Sequence, residues 1–389
     1  MADGIDVLVL GAGMAGLVAA IELHDAGLNV TVLDPTADGG MTRHSIGSLT
    51  AAQTQWQARA GVVDDPADHA RLLLGMVERQ IGQPLTASER GHIEQLCAAG
   101  GRTLTWLAGR GIPLSGVAAE EPHDHPRMHN VVGGGAVLAS SLIEALLERL
   151  PAGIVRARAE QIQPAPGGLL VRAGDRTWRA DAVVVAVGDQ SGALPVPAIH
   201  PGDRGALLRS VAQEFGGSLQ PPRLRAQLRT VRAPHVAPGP WMVAHGMLVA
   251  RDRPSQPLRD VGSAELAQLH ERYPGIDLHV QTPVPPDIQP LATYPSQGWA
   301  TGDDLVVAGL AHRNGSTLVL GPLRVVQTTA DGALEVDHEM RVRSGNGCVD
   351  GLFAIGGSGL GRLKLAGHGH HLLWAGHSAL TAARAVLAR

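Results

Sequence analysis

The feature that most constrains this chain is Val9-Leu-Gly-Ala-Gly-Met-Ala-Gly16, in which Gly11, Gly13 and Gly16 directly follow the β-rich run Ile5-Asp-Val-Leu-Val-Leu10. An apolar helical pattern from Leu17 to Leu23 comes next, then a second strand over Asn29–Asp34. The three glycines serve different steric ends. Gly11 makes the tight turn, Gly13 lets the backbone approach a pyrophosphate, and Gly16 permits close packing of helix on strand. The bare N–H groups at the helix start attract phosphates. Asp34 lies 34 − 11 = 23 positions after the first glycine, where a carboxylate accepts from ribose hydroxyls. A strand, a glycine turn, a helix and a strand ending in an acid form a dinucleotide-binding unit, so the fold class is α/β with a Rossmann-like sheet.

Length and composition bound the rest. At 389 residues the chain exceeds a single core, and two domains sharing a cleft are expected. With only 2 Phe and 2 Tyr, the interior is left to Leu, Val, Ala and Ile, and no aromatic platform for stacking bases is available. The 32 basic and 36 acidic residues are interspersed, so neither nucleic acid nor an anionic membrane is the expected partner. Cys97 and Cys348 follow no CxxC spacing and read as ordinary thiols of a reducing compartment. The N-terminus runs straight into a strand and no stretch approaches 18 apolar residues, so a soluble, cytoplasmic protein without a transmembrane segment is expected.

Further along, helical texture runs from about Pro66 to Gly111, and another helix is expected over about Ala136–Leu150, behind Gly133-Gly134-Gly135. Period-two texture marks strands at Ile154–Ile162, Gly168–Ala173 and Thr177–Val187. The apolar run Ala182-Val-Val-Val-Ala-Val-Gly188 suits a strand buried on both faces of the main sheet. Residues 221–317 turn Pro-rich and irregular, the texture of a smaller inserted cap. The chain then returns through Leu352-Phe-Ala-Ile-Gly356 to a closing helix at about Leu372–Leu387, dividing it into 1–220, 221–317 and 318–389.

An NAD-only domain would continue into alternating βα units. Here the second strand leads instead into Gly39-Gly40-Met-Thr-Arg-His-Ser-Ile-Gly-Ser-Leu-Thr-Ala-Ala52, a small, hydroxyl-rich loop able to lie against a diphosphate and an isoalloxazine ring. By itself that loop reads equally well as surface. The wider segment Gly39–Asp65 resembles the flavin loop of the fumarate reductase, succinate dehydrogenase and 3-ketosteroid dehydrogenase flavoprotein superfamily. Thr105–Gly111, Gly133–Ala136, Ala186–Gly188, His200–Gly205 and Gly351–Gly356 fit the same pattern.

The resemblance implies a glutathione-reductase-type FAD-binding domain with an inserted α+β cap. It implies noncovalent FAD held by Gly11, Gly13, Ala15, Gly16, Asp34, Gly39, Gly40, Met41, Thr42, Ser45, Gly47, Ser48, Gly188, Gly356 and Gly367. It also implies hydride exchange between flavin N5 and a carbon beside a carbonyl or carboxylate of a small-molecule substrate. Some relatives attach FAD to a His in this loop, but that position falls nearer Met41 than His44. The cap is short for the family. Gly357 stands where relatives often have Glu, Leu318–Pro322 replaces the stretch supplying a substrate-binding His, and Gly361–Gly367 leaves Arg362 or Lys364 in place of a family arginine.

The chain has 18 His, and Gly367-His-Gly-His-His371 stands where the family's C-terminal segment passes the flavin. His368 or His370 is a candidate proton donor or carboxylate anchor; the alternative is a helix start contacting backbone and flavin oxygens. With no acidic neighbour and no i, i+4 spacing, this cluster is not expected to bind metal. Arg127 and Arg362 are candidate carboxylate forks, with His129 and His312-Arg313 as further candidates. His123 and His125, flanking Asp124, read as surface. The leading functional expectation is a stand-alone dehydrogenase or ene-reductase acting on a CH–CH bond. A second is a flavoprotein component of an electron-transfer dehydrogenase complex, similar to the second chain of anaerobic glycerol-3-phosphate dehydrogenase, with electron carrier or partner unassigned. A third is a flavin-stabilised binding protein.

Overall fold

The computed structural model describes residues 4–81, 83–120, 123–150, 152–188, 205–216, 333–345, 347–361, 363, 365 and 369–389, together with six short strands between 225 and 319. Chain contacts divide it into one unit comprising 1–190, 204–221 and 330–389 and another comprising 191–203 and 222–329.

The first unit begins with β1 (Ile5–Leu10), α1 (Met14–Asp25) and β2 (Val30–Leu33). Gly13 caps α1 without a side-chain bond. Apolar residues then bury the helix nearly all round, from Met14 through Leu23, as befits one wedged between a sheet and other helices. A 3₁₀ turn at Gly40–His44 leads to β3 (Ser48–Thr50), α2 (Gln55–Arg59), α3 (Pro66–Ile81) and α4 (Ala87–Ala108). Helices α2 and α4 start at reciprocal capping boxes, Thr54 with Gln57 and Thr86 with Glu89. After them come β4 (Leu114–Ala118), β5 (Met128–Val131) and α5 (Gly134–Arg149), then β6 (Gln161–Ala165), β7 (Gly168–Ala173), β8 (Arg176–Val185) and α6 (Gly205–Phe215).

Strands β9 (Arg225–Gln227), β10 (Trp241–Ala244), β11 (Met247–Ala250), β12 (Asp277–His279), β13 (His312–Asn314) and β14 (Thr317–Val319) belong to the second unit. They form three two-stranded ladders: β10 with β11, β9 with β12, and β13 with β14. The chain closes in the first unit with β15 (Arg341–Ser344), β16 (Gly347–Ala354) and α7 (His370–Leu387).

The main sheet runs β15-β16-β8-β1-β2, with β7 on β8 and β6 on β7. Its centre is parallel: Val7 pairs with Val30 on one side and Ala182 on the other, and Leu352 pairs with Val183. Ala182 through Val185 are all buried, which accounts for a strand without polar alternation. Leu8, Val184 and Phe353 are fully buried at this centre; truncating such a Leu to Ala costs about 2–5 kcal/mol. A second sheet, β3-β5-β4, is antiparallel, with Leu49 opposite His129.

Two sequence expectations need correction. Ile154–Glu160 forms no strand; its one ladder contact is a bridge from Val155 to Leu33, and pairing begins only at Gln161. The closing helix starts at His370, two residues earlier than its apolar pattern, because Gly369 supplies the left-handed turn (φ 80°) that precedes it. Among the described residues no helix is long and apolar enough to cross a membrane.

Candidate functional site

The carboxyl ends of β1, β8 and β16 converge with the start of α1. Gly11 leaves β1 at φ 109°, a conformation that favours glycine, and its N–H donates to Leu33 O at 2.8 Å. A Cβ on Gly16 would sit on Gly11 O, and one on Gly11 would collide with Ala186 O. At Gly13, by contrast, a Cβ would meet nothing nearer than Thr42 Oγ1 at 3.6 Å and Gly39 O at 3.9 Å. Internal packing therefore does not require glycine at position 13.

Asp34 is buried. Its Oδ2 accepts from Ala12 N–H at 2.8 Å, while Oδ1 accepts from the Thr36 and Ala37 amides, both at 2.8 Å. These bonds hold the carboxylate at the end of β2 beside the glycine turn, and Oδ2 keeps acceptor capacity for a hydroxyl. Thr42 Oγ1 accepts from Met14 N–H at 2.8 Å, tying the flavin-loop candidate to the first turn of α1. Ser45 Oγ donates to Thr42 O at 2.7 Å, and Gly135 N–H donates to Ser45 O at 3.1 Å, so the same loop is anchored on α5. Ser48 Oγ bonds Asn130 Oδ1 at 2.6 Å. Met41 is 49% exposed.

The C-terminal segment closes on this arrangement. Ser358 Oγ donates to Gly188 O at 2.6 Å, and Gly356 N–H donates to Ser378 Oγ at 2.9 Å. A Cβ on Gly356 would press on that of Ala15 at 2.9 Å, and one on Gly369 would meet Thr50 Oγ1 at 2.8 Å and Ser48 O at 2.9 Å. Gly11, Gly13, Ala15, Gly16, Asp34, Thr42, Gly188 and Gly356 thus come together from four stretches of chain. Arg362, Lys364, Gly367 and His368 lie outside the described residues, as do the side chains of His44 and His312-Arg313.

Two charged candidates are placed differently from their sequence reading. Arg127 is fully buried, and its guanidinium grips Asp64 through Nε at 2.8 Å and Nη2 at 2.6 Å, with Asp124 on Nη1 at 2.8 Å. The fork expected for a substrate carboxylate is therefore engaged by a carboxylate of the protein itself. Burial alone would raise the Asp64 pKa; the hydrogen bonds from Arg127 and Gln57 outweigh it and hold the group below the usual carboxylate range. His123 is 9% exposed rather than a surface residue. Its ring lies 5.8 Å from that of His69 and 5.3 Å from that of His370, centroid to centroid.

His370, the proton-donor candidate, is fully buried, with Nε2 3.0 Å from Nε2 of His69 on α3. Sequence reasoning misses His69 as a functional residue, because its partner is 301 positions away. Burial, then the positive charge of Arg127, pushes the His69 pKa down to about 3. His129 is also buried and bonds Thr54 Oγ1 at 2.8 Å, with burial lowering its pKa.

A strand, a glycine turn, a helix and a second strand ending in a buried acid form a dinucleotide-binding α/β unit. Residues 6–191 match the family model described as the FAD binding domain, and the cofactor is FAD. A KsdD-like steroid dehydrogenase of Mycobacterium tuberculosis is 32% identical over 163 residues, covering 38% of this chain and 29% of the relative. A KsdD-like steroid dehydrogenase of Mycolicibacterium smegmatis is 31% identical over 228 residues, 50% of this chain and 41% of that one. The NADH:fumarate oxidoreductase of Klebsiella pneumoniae is 33% identical over 150 residues, 37% of this chain and 15% of its own. The chain thus spans between 15% and 41% of the length of these relatives. The fold is shared with the 3-ketosteroid delta1-dehydrogenase of Sterolibacterium denitrificans, at TM-score 0.60 and 15% identity over 98% of this chain and 99% of that one. It is also shared with a flavocytochrome c3 fumarate reductase, at TM-score 0.58 and 18% identity over 99% and 79%.

Proposed function

We propose that this chain is an FAD-dependent oxidoreductase acting on a CH–CH bond next to a carbonyl or carboxylate of a small molecule. The observation that carries the proposal is the Gly11–Gly16 turn with Asp34 held beside it by Ala12 N–H, together with the similarity to KsdD-like steroid dehydrogenases and to an NADH:fumarate oxidoreductase. When bound, FAD supplies a hydride acceptor or donor at N5. The chain's own residues do the holding. The α1 start would offset phosphate charge, Asp34 would accept from the adenosine ribose, and the Gly39–Ser48 loop, fastened to α1 by Thr42, would help hold the cofactor. Gly188 and Gly356, both in left-handed turns, would let backbone come close to the bound cofactor, and the α7 start would offer its amide dipole. His370 and the segment carrying Arg362 and His368 are the candidate groups for placing a substrate or moving its proton. Arg127 instead holds Asp64 and Asp124 in place.

The test is purification with FAD followed by turnover with an artificial electron acceptor or donor on a panel of 3-keto steroids and unsaturated carboxylates. The expected result is a yellow protein that bleaches anaerobically with at least one panel member. A yellow chain that turns over nothing alone but copurifies with a redox partner would favour the electron-transfer component instead. A chain that takes up no FAD would end the proposal.

A further inference from the structure

The fold brings together what sequence proximity does not. His69 in the first turn of α3, His123 between β4 and β5, and His370 at the first position of α7 place one ring nitrogen each within 4.8 Å of one another. The geometry points to a divalent transition-metal site, of the zinc class, held by these three imidazoles with a fourth position open.

Zinc bound by imidazole at about 2.0–2.1 Å in tetrahedral geometry requires ligand nitrogens about 3.3 Å apart. The 3.0 Å separation of His69 Nε2 and His370 Nε2 is already near that edge, so small ring rotations suffice to admit an ion. Three histidines from three separate elements are a ligand set that leaves a position for water or substrate. The His69 Nδ1 nitrogen is buried without a hydrogen-bond partner, so protein contacts alone do not meet this ring's polar needs. The expectation of no metal weighed only Gly367–His371, where the local pattern offers one end of the site. The proposal does not rest on the flavin reading, since metal content is measurable whether or not FAD is bound.

The test uses the untagged full chain, freed of metal by a chelator and titrated with Co²⁺ as a spectroscopic probe for zinc, with metal content measured after dialysis. Wild type is expected to bind about one ion per chain and to melt at a higher temperature when loaded. His123→Ala, at the edge of the cluster, and His69→Ala should each weaken binding by at least about 10-fold, while His371→Ala on the exposed side of α7 should leave it unchanged. Should His69→Ala fail to fold, His123→Ala and the chelator dependence of wild-type melting decide the matter. The proposal is overturned if folded wild type takes up no Co²⁺, or if His123→Ala binds as wild type does.

Discussion

At the scale of single residues, Gly13 and Gly16 make opposite demands although both belong to one motif. A methyl at Gly16 strikes Gly11 O, whereas one at Gly13 has no protein neighbour nearer than 3.6 Å. Gly16→Ala should therefore lose its folded state by circular dichroism. Gly13→Ala should keep the apo melting temperature to within a few degrees, the N-cap change being worth less than about 1 kcal/mol, yet lose most of its FAD affinity by fluorescence titration. Retained FAD binding in Gly13→Ala would show that the pyrophosphate lies elsewhere. Buried histidines set a second expectation. Burial lowers His69 to about 3 and His377 to about 4 from an ordinary 6.5. Below pH 6.5 the unfolded chain takes up protons that these rings refuse, so metal-free protein should lose stability as pH falls from about 6.5 to about 4. The loss approaches roughly 1.4 kcal/mol per pH unit for each ring, and urea denaturation at a series of pH values measures it.

At the scale of elements, capping decides where helices begin, and in one place the cap also supports the second sheet. Thr54 accepts from Gln57 N–H as the cap of α2, and its hydroxyl reaches His129 Nε2 on β5 at 2.8 Å. Thr54→Ala should remove both, costing about 1 kcal/mol for the cap and a further 1–3 kcal/mol, roughly, for the buried His129 Nε2 left without its partner. Thr54→Ser, which restores the hydroxyl, should recover most of the loss in the same urea titration. Equal destabilisation by Ser and Ala would mean that the methyl, and not the hydrogen bonds, matters at this position.

For the molecule as a whole, the cofactor is part of the stability. Because the first unit gathers its candidate FAD-contacting residues from positions 11 to 356, a ligand bridging them would stabilise the folded state by mass action, by about 2.7 kcal/mol at 100 times Kd. Thermal melting should rise by roughly 5 to 10 °C at that concentration of FAD. FMN, which lacks the adenylate that Asp34 and the α1 amides would grip, should give a much smaller rise. An equal response to FMN would move recognition away from the glycine turn.

The β1-α1-β2 unit, the central position of β8 and the return through β16 were readable along the chain, because hydrophobic period, glycine spacing and a terminal acid are local signals that one packing solution satisfies. The role of Arg127 was not: its charge suggested a ligand fork, and only the approach of Asp64 from 63 positions away turned it into a buried ion pair. The same holds for His69, His123 and His370. Nothing in their spacing relates them: His123 reads as surface, His370 as a proton-donor or helix-start residue, and His69 carries no local signal. Local sequence dictates backbone geometry and hence where a nucleotide fits, whereas which side chains meet across the core depends on how helices α3 and α7 pack, a long-range outcome that no short window of residues contains.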